Sequence, residues 1–264
     1  MKKFISLLFV LLVLNSCSEY QKALKNDDIA KKFEVGTKMY EKGKFSKALR
    51  LFEQIAPSYQ GKPQAEKLFY MYAKSFYAEK QYYPASYQFE KFSSTYPKSE
   101  KAEEAAYLGA YSFSKLSPRY SLDQVDTYKA IDKLQSFINN YPNSEFLPEA
   151  NRIAKELREK IEKKNFEIAK QYNTISDYKS ALIALDNFIA DFPGTPYKEK
   201  ALYYKLDSAY NLAINSVPAK MQERLVVAKS AYASLMKFNA STEYKSKADE
   251  MLARIETDLK QFSK

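Results

Sequence analysis

Among the 264 residues one side chain can act as a thiol nucleophile, Cys17, and there is no histidine to activate it. Without imidazole the chain lacks a Ser-His or Cys-His pair and has no imidazole ligand for a metal. Glu103 and Glu104 form a carboxylate pair of the kind used for acid–base work, yet they stand where a helix begins, a place that favours a role against the helix dipole. Only five glycines occur, and none belongs to a phosphate-cradling loop. Catalysis is therefore not expected, and neither a metal nor a cofactor is.

What surrounds Cys17 points to a different chemistry. Lys2 and Lys3 give a basic start, Phe4 to Leu14 an eleven-residue apolar core, and Asn15-Ser16 a polar stop. That is a secretory leader over 1–16, because crossing a membrane takes roughly 20 apolar residues. Leu14-Asn15-Ser16-Cys17 resembles the lipobox of bacterial lipoproteins, in which the cysteine is lipidated, becomes the first residue and is acylated on its amine. Cys17 is then a covalent tether, with 17–27 a lipidated linker. Several acyl chains on one residue give stable anchoring, since each buried methylene contributes about 0.8 kcal/mol and one chain alone holds only marginally. Ser18 after the cysteine fits onward sorting to the outer membrane.

Removing Lys2 and Lys3 with the leader takes the formal charge from +10 to +8. Lysines alternate with Glu and Asp rather than forming a block, which reads as a solvated helical surface and not as a nucleic-acid interface. The 23 Tyr and 17 Phe beside so few glycines describe packed helices.

The elements emerge from a recurring phrase: YPKSEKAEEA at Tyr96, YPNSEFLPEA at Tyr141 and FPGTPYKEKA at Phe192. An aromatic and Pro close one helix, and the Ser or Thr two residues on caps the next. Upstream, Ala85-Phe89-Phe92, Ala130-Leu134-Phe137 and Ala181-Leu185-Phe188 share a spacing that puts each trio on one helical face. Earlier Ala48, Phe52 and Ile55, and later Ala228, Tyr232 and Leu235, extend this to five helix-turn-helix units.

The pattern resembles tetratricopeptide repeats, whose period is about 34 residues and whose small residues sit where paired helices touch. Gly36, Ala73, Ala110 and Ala169 occupy the small position of the first helix; Ala48, Ala85, Ala130, Ala181 and Ala228 that of the second. The fifth unit departs, with Leu206 at its first small position and Ala240 replacing the closing Pro. The expected fold is all-α: a superhelical solenoid of five repeats with a capping helix over Thr242 to Phe262. Residues 28–147 make front repeats one to three, and 148–264 a long helix, back repeats four and five and the cap. The turn SPRYSLDQVDTY in the third unit is about eight residues longer than its counterpart in the second. Pro148 to Tyr172 reads as one rigid helix, since Glu149 to Asn173 lacks Gly and Pro.

The lipobox, the five repeats, the long turn from Ser117 to Tyr128 and the following AIDKLQSFINNYPNSEF together resemble the BamD family of outer-membrane β-barrel assembly lipoproteins. That resemblance implies a scaffold at the periplasmic face of the outer membrane. Its back repeats would dock on BamA, the barrel-shaped insertase, its front repeats would hold unfolded outer-membrane proteins, and other machinery subunits would join. Arg119, Asp123 and Asp126 on the long turn are the expected partner-binding residues.

In a tetratricopeptide repeat the residues one, four, eight and eleven places after the start of the first helix line the concave surface. Here that predicts a substrate-peptide groove of Phe33, Tyr40, Tyr70, Lys74, Tyr77, Tyr107 and Tyr111, aromatic and suited to extended peptides. Barrel proteins typically end in an aromatic residue with a free carboxylate, for which Lys74 is the expected partner. Packing between helices is the competing reading of these tyrosines. Two other functions compete: an exported adaptor for cell-wall or division proteins, and a glycan-binding lipoprotein, against which the absence of Trp counts.

Overall fold

The computed structural model describes residues 19–262, whose regular elements are all helices, with no strand among the described residues. The leader expected over 1–16 and Cys17 lie outside the described residues. Five helix pairs follow one another: α1 (Ile29–Glu41) with α2 (Phe45–Tyr59), α3 (Ala65–Ala78) with α4 (Tyr82–Thr95), and α5 (Ala102–Ser114) with α6 (Val125–Asn140). Then come α7 (Leu147–Thr174) with α8 (Tyr178–Asp191), α9 (Lys198–Ile214) with α10 (Pro218–Phe238), and a closing α11 (Lys245–Lys260). This is the all-helical repeat fold expected. The long helix starts at Leu147 and continues to Thr174, and the closing helix begins at Lys245 because Thr242 to Tyr244 form the turn that precedes it.

The chain divides into two compact units. The front one holds the chain up to Pro118 with Asp123–Leu157, the back one Arg119–Leu122 with everything from Arg158 onward. Within the front unit, Val35, Leu51, Phe52, Ile55 and Leu68 form one core, and Phe89, Phe92, Leu134, Phe137 and Ile153 another. Within the back unit, Phe166, Leu185 and Phe188 form a core, and Leu206, Leu225, Leu235 and Ile255 form a second.

Small residues work as the repeat spacing requires. A Cβ placed on Gly36 would stand 2.7 Å from Phe52 Cε1, so α1 and α2 approach as closely as they do only because that position is glycine. Leu206, at the corresponding position of α9, is fully buried in the last core rather than left out of register. The stretch expected as a linker is partly folded: residues 19–25 are helical, and Tyr20 and Ala23 are buried in the core of the first pair. The cause lies in their apolar surface, which the first pair covers, while Lys38 pairs with Glu19 at 2.8 Å.

One turn recurs inside the pairs. Between α1 and α2, α3 and α4, and α7 and α8, three residues intervene, the middle one left-handed: Gly43 at φ 68°, Lys80 at 57° and Ser176 at 63°. Each turn is closed by two backbone bonds, such as Lys80 N–H to Tyr77 O and Gln81 N–H to Phe76 O, both 3.0 Å. This is a Schellman closure that satisfies the last carbonyls of the first helix. A side chain in that conformation costs roughly 1–2 kcal/mol, of which a glycine returns part through greater unfolded-chain entropy. Lys80→Gly and Ser176→Gly are each expected to stabilise the protein, by roughly 0.5–1 kcal/mol on the same two principles. Chemical denaturation measures it, and destabilisation by both would contradict the turn geometry.

Between pairs the phrase read from the sequence has one geometry. Ser99, Ser144, Thr195 and Thr242 each donate their N–H to the residue three before, namely Tyr96, Tyr141, Phe192 and Asn239, at 3.0–3.3 Å. Their hydroxyls each accept the N–H two residues on, at Lys101, Phe146, Tyr197 and Tyr244, at 3.1–3.3 Å. They close the turn instead of capping the helix as expected: α5, α9 and α11 begin after Lys101, Tyr197 and Tyr244, whose side chains make no capping bond. Thr242 therefore keeps the closing turn of the fifth pair although Ala240 has replaced proline. A hydroxyl and a backbone bond suffice without the ring.

Candidate peptide-binding site

The seven residues expected to line a groove fall into two groups. Phe33 and Tyr107 are buried, 9% and 8% exposed, and belong to the cores of the front unit. They are corrected from groove to packing residues: Phe33 stacks on Tyr59 at 5.2 Å, and Tyr107 lies flat on Phe146 at 4.6 Å and 6°. Burial pushes the Tyr107 phenol up to about 12, with the Glu149 charge adding to it. Tyr40, Tyr70, Lys74, Tyr77 and Tyr111 are half-buried. Tyr77 and Tyr111 meet at 6.1 Å between ring centroids, and Lys115 lies over the Tyr111 ring at 4.4 Å.

Lys74 does not wait for a ligand. Its Nζ is 3.2 Å from Glu104 Oε1, while Lys101 Nζ is 3.2 Å from the other carboxylate oxygen. The Tyr70 hydroxyl is hydrogen-bonded to the same carboxylate. Burial alone would raise the Glu104 carboxyl, but the bonds from Tyr70, Lys74 and Lys101 hold it below its ordinary range. Burial first, and then Glu104, push the Tyr70 phenol up. Glu104 thus has more to do than face the dipole of α5, whose first turn it shares with Glu103. A cavity of about 490 Å³ opens beside this cluster, lined among others by Tyr40, Pro63, Tyr70, Met71, Phe92 and Lys101.

The long turn of the third pair runs ten residues, Lys115 to Gln124, where its counterpart in the second pair has three. Asp123 Oδ1 accepts the Val125 N–H at 2.9 Å and so turns the chain into α6, and Asp126 lies in the first turn of that helix. Ser117 and Thr127 share a 2.6 Å bond between hydroxyls, and Thr127 donates to Gln124 at 2.8 Å. Arg119 falls in the back unit, where the next residues are held by α7: Lys163 lies over the Tyr120 ring at 4.4 Å and Lys164 donates to Leu122 O at 2.6 Å. Asp123 therefore has a structural duty that its charge did not reveal.

A position read from the sequence as groove in the first three pairs recurs in all five, and the stacking it makes was not foreseen. Phe33, Tyr70 and Tyr107 are 37 residues apart, as are Phe166 and Tyr203, and each projects from the first helix of its pair. The residue two places after the Ser or Thr of the next turn meets this ring: Phe146 on Tyr107, Tyr197 on Phe166 at 5.5 Å and 12°, and Tyr244 on Tyr203 at 4.1 Å and 15°. The signal was present in the strings SEF, TPY and TEY, each an aromatic two residues after the hydroxyl of the turn.

Among the described residues no helix is long and apolar enough to cross a membrane, and no group of three or more His, Cys, Asp or Glu could hold a metal ion.

The family described as YfiO, outer membrane lipoprotein, matches residues 25–225. No curated protein matches the chain. Among solved structures, the TPR-like repeats of Podosopora anserina assigned to a kinesin light chain are 15% identical and cover 78% of this chain and 95% of their own, with a TM-score of 0.32. A substituted form of the same repeats is 14% identical, covering 82% of this chain and 98% of its own, again at 0.32.

Proposed function

Because the chain belongs to the YfiO, or BamD, family of outer-membrane lipoproteins, we propose that it is a non-enzymatic scaffold of the machinery that assembles β-barrel proteins in the outer membrane. The family match over residues 25–225 carries this reading, since it runs from the front of the first pair into α10. In this reading Cys17 bears the lipid, and the protein stands on the periplasmic face. The back pairs dock on the BamA-type insertase, with Arg119, Asp123 and Asp126 as charged contacts at the rim. The front pairs hold unfolded outer-membrane proteins. Half-buried tyrosines on successive first helices support that assignment, because such rings offer contact area with little rotamer freedom to lose.

Depleting the protein and measuring the barrel content of the outer membrane tests the function. A general fall across unrelated barrel proteins is expected. A cell-wall or division defect with normal barrel content would replace this reading with that of an exported adaptor.

A further inference from the structure

Four of the five equivalent first-helix rings carry a second ring nearly parallel to them. Phe33 has Tyr59 at 22°, Tyr107 has Phe146 at 6°, Phe166 has Tyr197 at 12° and Tyr203 has Tyr244 at 15°. Tyr70 differs. Among the described residues its one ring contact is with Phe92 of its own pair, tilted at 59°, the same kind of contact that Tyr107 makes with Phe137 and Phe166 with Phe188. Where the later pairs place Phe146, Tyr197 and Tyr244, two residues after the hydroxyl of the turn, the second pair has Lys101. The ammonium groups of Lys101 and Lys74 stand 5.8 and 6.0 Å from the Tyr70 centroid. The cavity of about 490 Å³ opens at this ring.

We infer that Tyr70 is a receptor for one aromatic side chain of a bound polypeptide, which stacks where the later pairs stack a ring of their own. The inference rests on the reading of the front pairs as the substrate-holding half. The internal stacks are the template: the repeat already shows which group this position accepts. An incoming ring would meet Tyr70, Phe92 and Met71, which line the cavity and are of types favourable to an aromatic. The Lys101 side chain is 54% exposed, so it can move aside and remain over the ring it admits. An anionic ligand is disfavoured, because Glu104 is shared by both ammonium groups at 3.2 Å and Glu41 and Glu66 also line the cavity.

The test uses the full mature chain and two probes, N-acetyl-phenylalaninamide and N-acetyl-leucinamide, titrated while the Met71 methyl resonance is followed. The phenylalanine amide is expected to bind at least fivefold tighter than the leucine amide. Lys101→Phe should weaken it tenfold or more and slow amide hydrogen exchange of α3 and α5, since the introduced ring takes the open face. Lys101→Ala should leave binding within threefold. Tyr70→Leu, which adds no bulk to the cavity, should lose the preference for the aromatic amide. Equal binding of the two amides, or undiminished binding in Lys101→Phe, overturns the inference. So does wild-type affinity of Lys101→Phe for an unfolded outer-membrane protein. If the wild-type chain does not bind that protein at all, the front-pair reading falls, and the amide comparison still decides the ring site.

Discussion

Phe89→Ala is expected to cost the front unit about 3–5 kcal/mol, the range for truncating a buried phenylalanine. Phe89 is 0% exposed and its ring meets Tyr77 edge-on at 6.4 Å. A Cβ built on Gly109 of α5 would lie 3.3 Å from Phe89 Cβ, so the two helices already touch at backbone distance and cannot close further over a void. The same helix supplies the control. Tyr87 is 58% exposed, and its replacement by alanine should stay within about 0.5 kcal/mol. Because the chain forms two compact units, a single melting temperature is a poor reporter. Amide hydrogen exchange of α4 and α5 isolates the loss. A cost below about 1 kcal/mol at Phe89, against the expected range, or equal costs at both positions, would mean that these helices are not packed as described.

The contrast between those two side chains was legible in the sequence, because alanine and large apolar residues at helical spacing mark the buried face wherever they recur. So were the five pairs, the long helix and the extended turn, which follow from proline, turn hydroxyls and runs without Gly or Pro. The groove was less so. Helical spacing says which way Phe33 and Tyr107 project from their helices but not what lies on top of them. What covers them comes from the end of the same pair or the next pair's first turn: Tyr59 on Phe33, Phe146 on Tyr107. Likewise the charge of Lys74 is visible in the sequence, while its occupation by Glu104 requires α3 and α5 to lie side by side. Asp123 illustrates the same limit from the other direction. An acidic residue on a long turn reads as a partner contact, and its charge does not say that one carboxylate oxygen also accepts the Val125 N–H.

Cys17→Ser is expected to release the protein from membranes almost completely while leaving its helical content unchanged. In the proposed reading the acyl chains on Cys17 supply the membrane affinity; among the described residues no helix is long and apolar enough to span a bilayer. Each buried methylene contributes about 0.8 kcal/mol, and losing all the acyl chains at once removes far more than any surface charge restores. Fractionation of cells producing the variant gives the outcome: wild-type protein in the membrane pellet, Cys17→Ser in the soluble fraction. The experiment is run with the insertase depleted, so that a docked partner does not carry the variant down. Quantitative sedimentation of Cys17→Ser under that condition would place the membrane affinity in the folded pairs and remove the tether from this account.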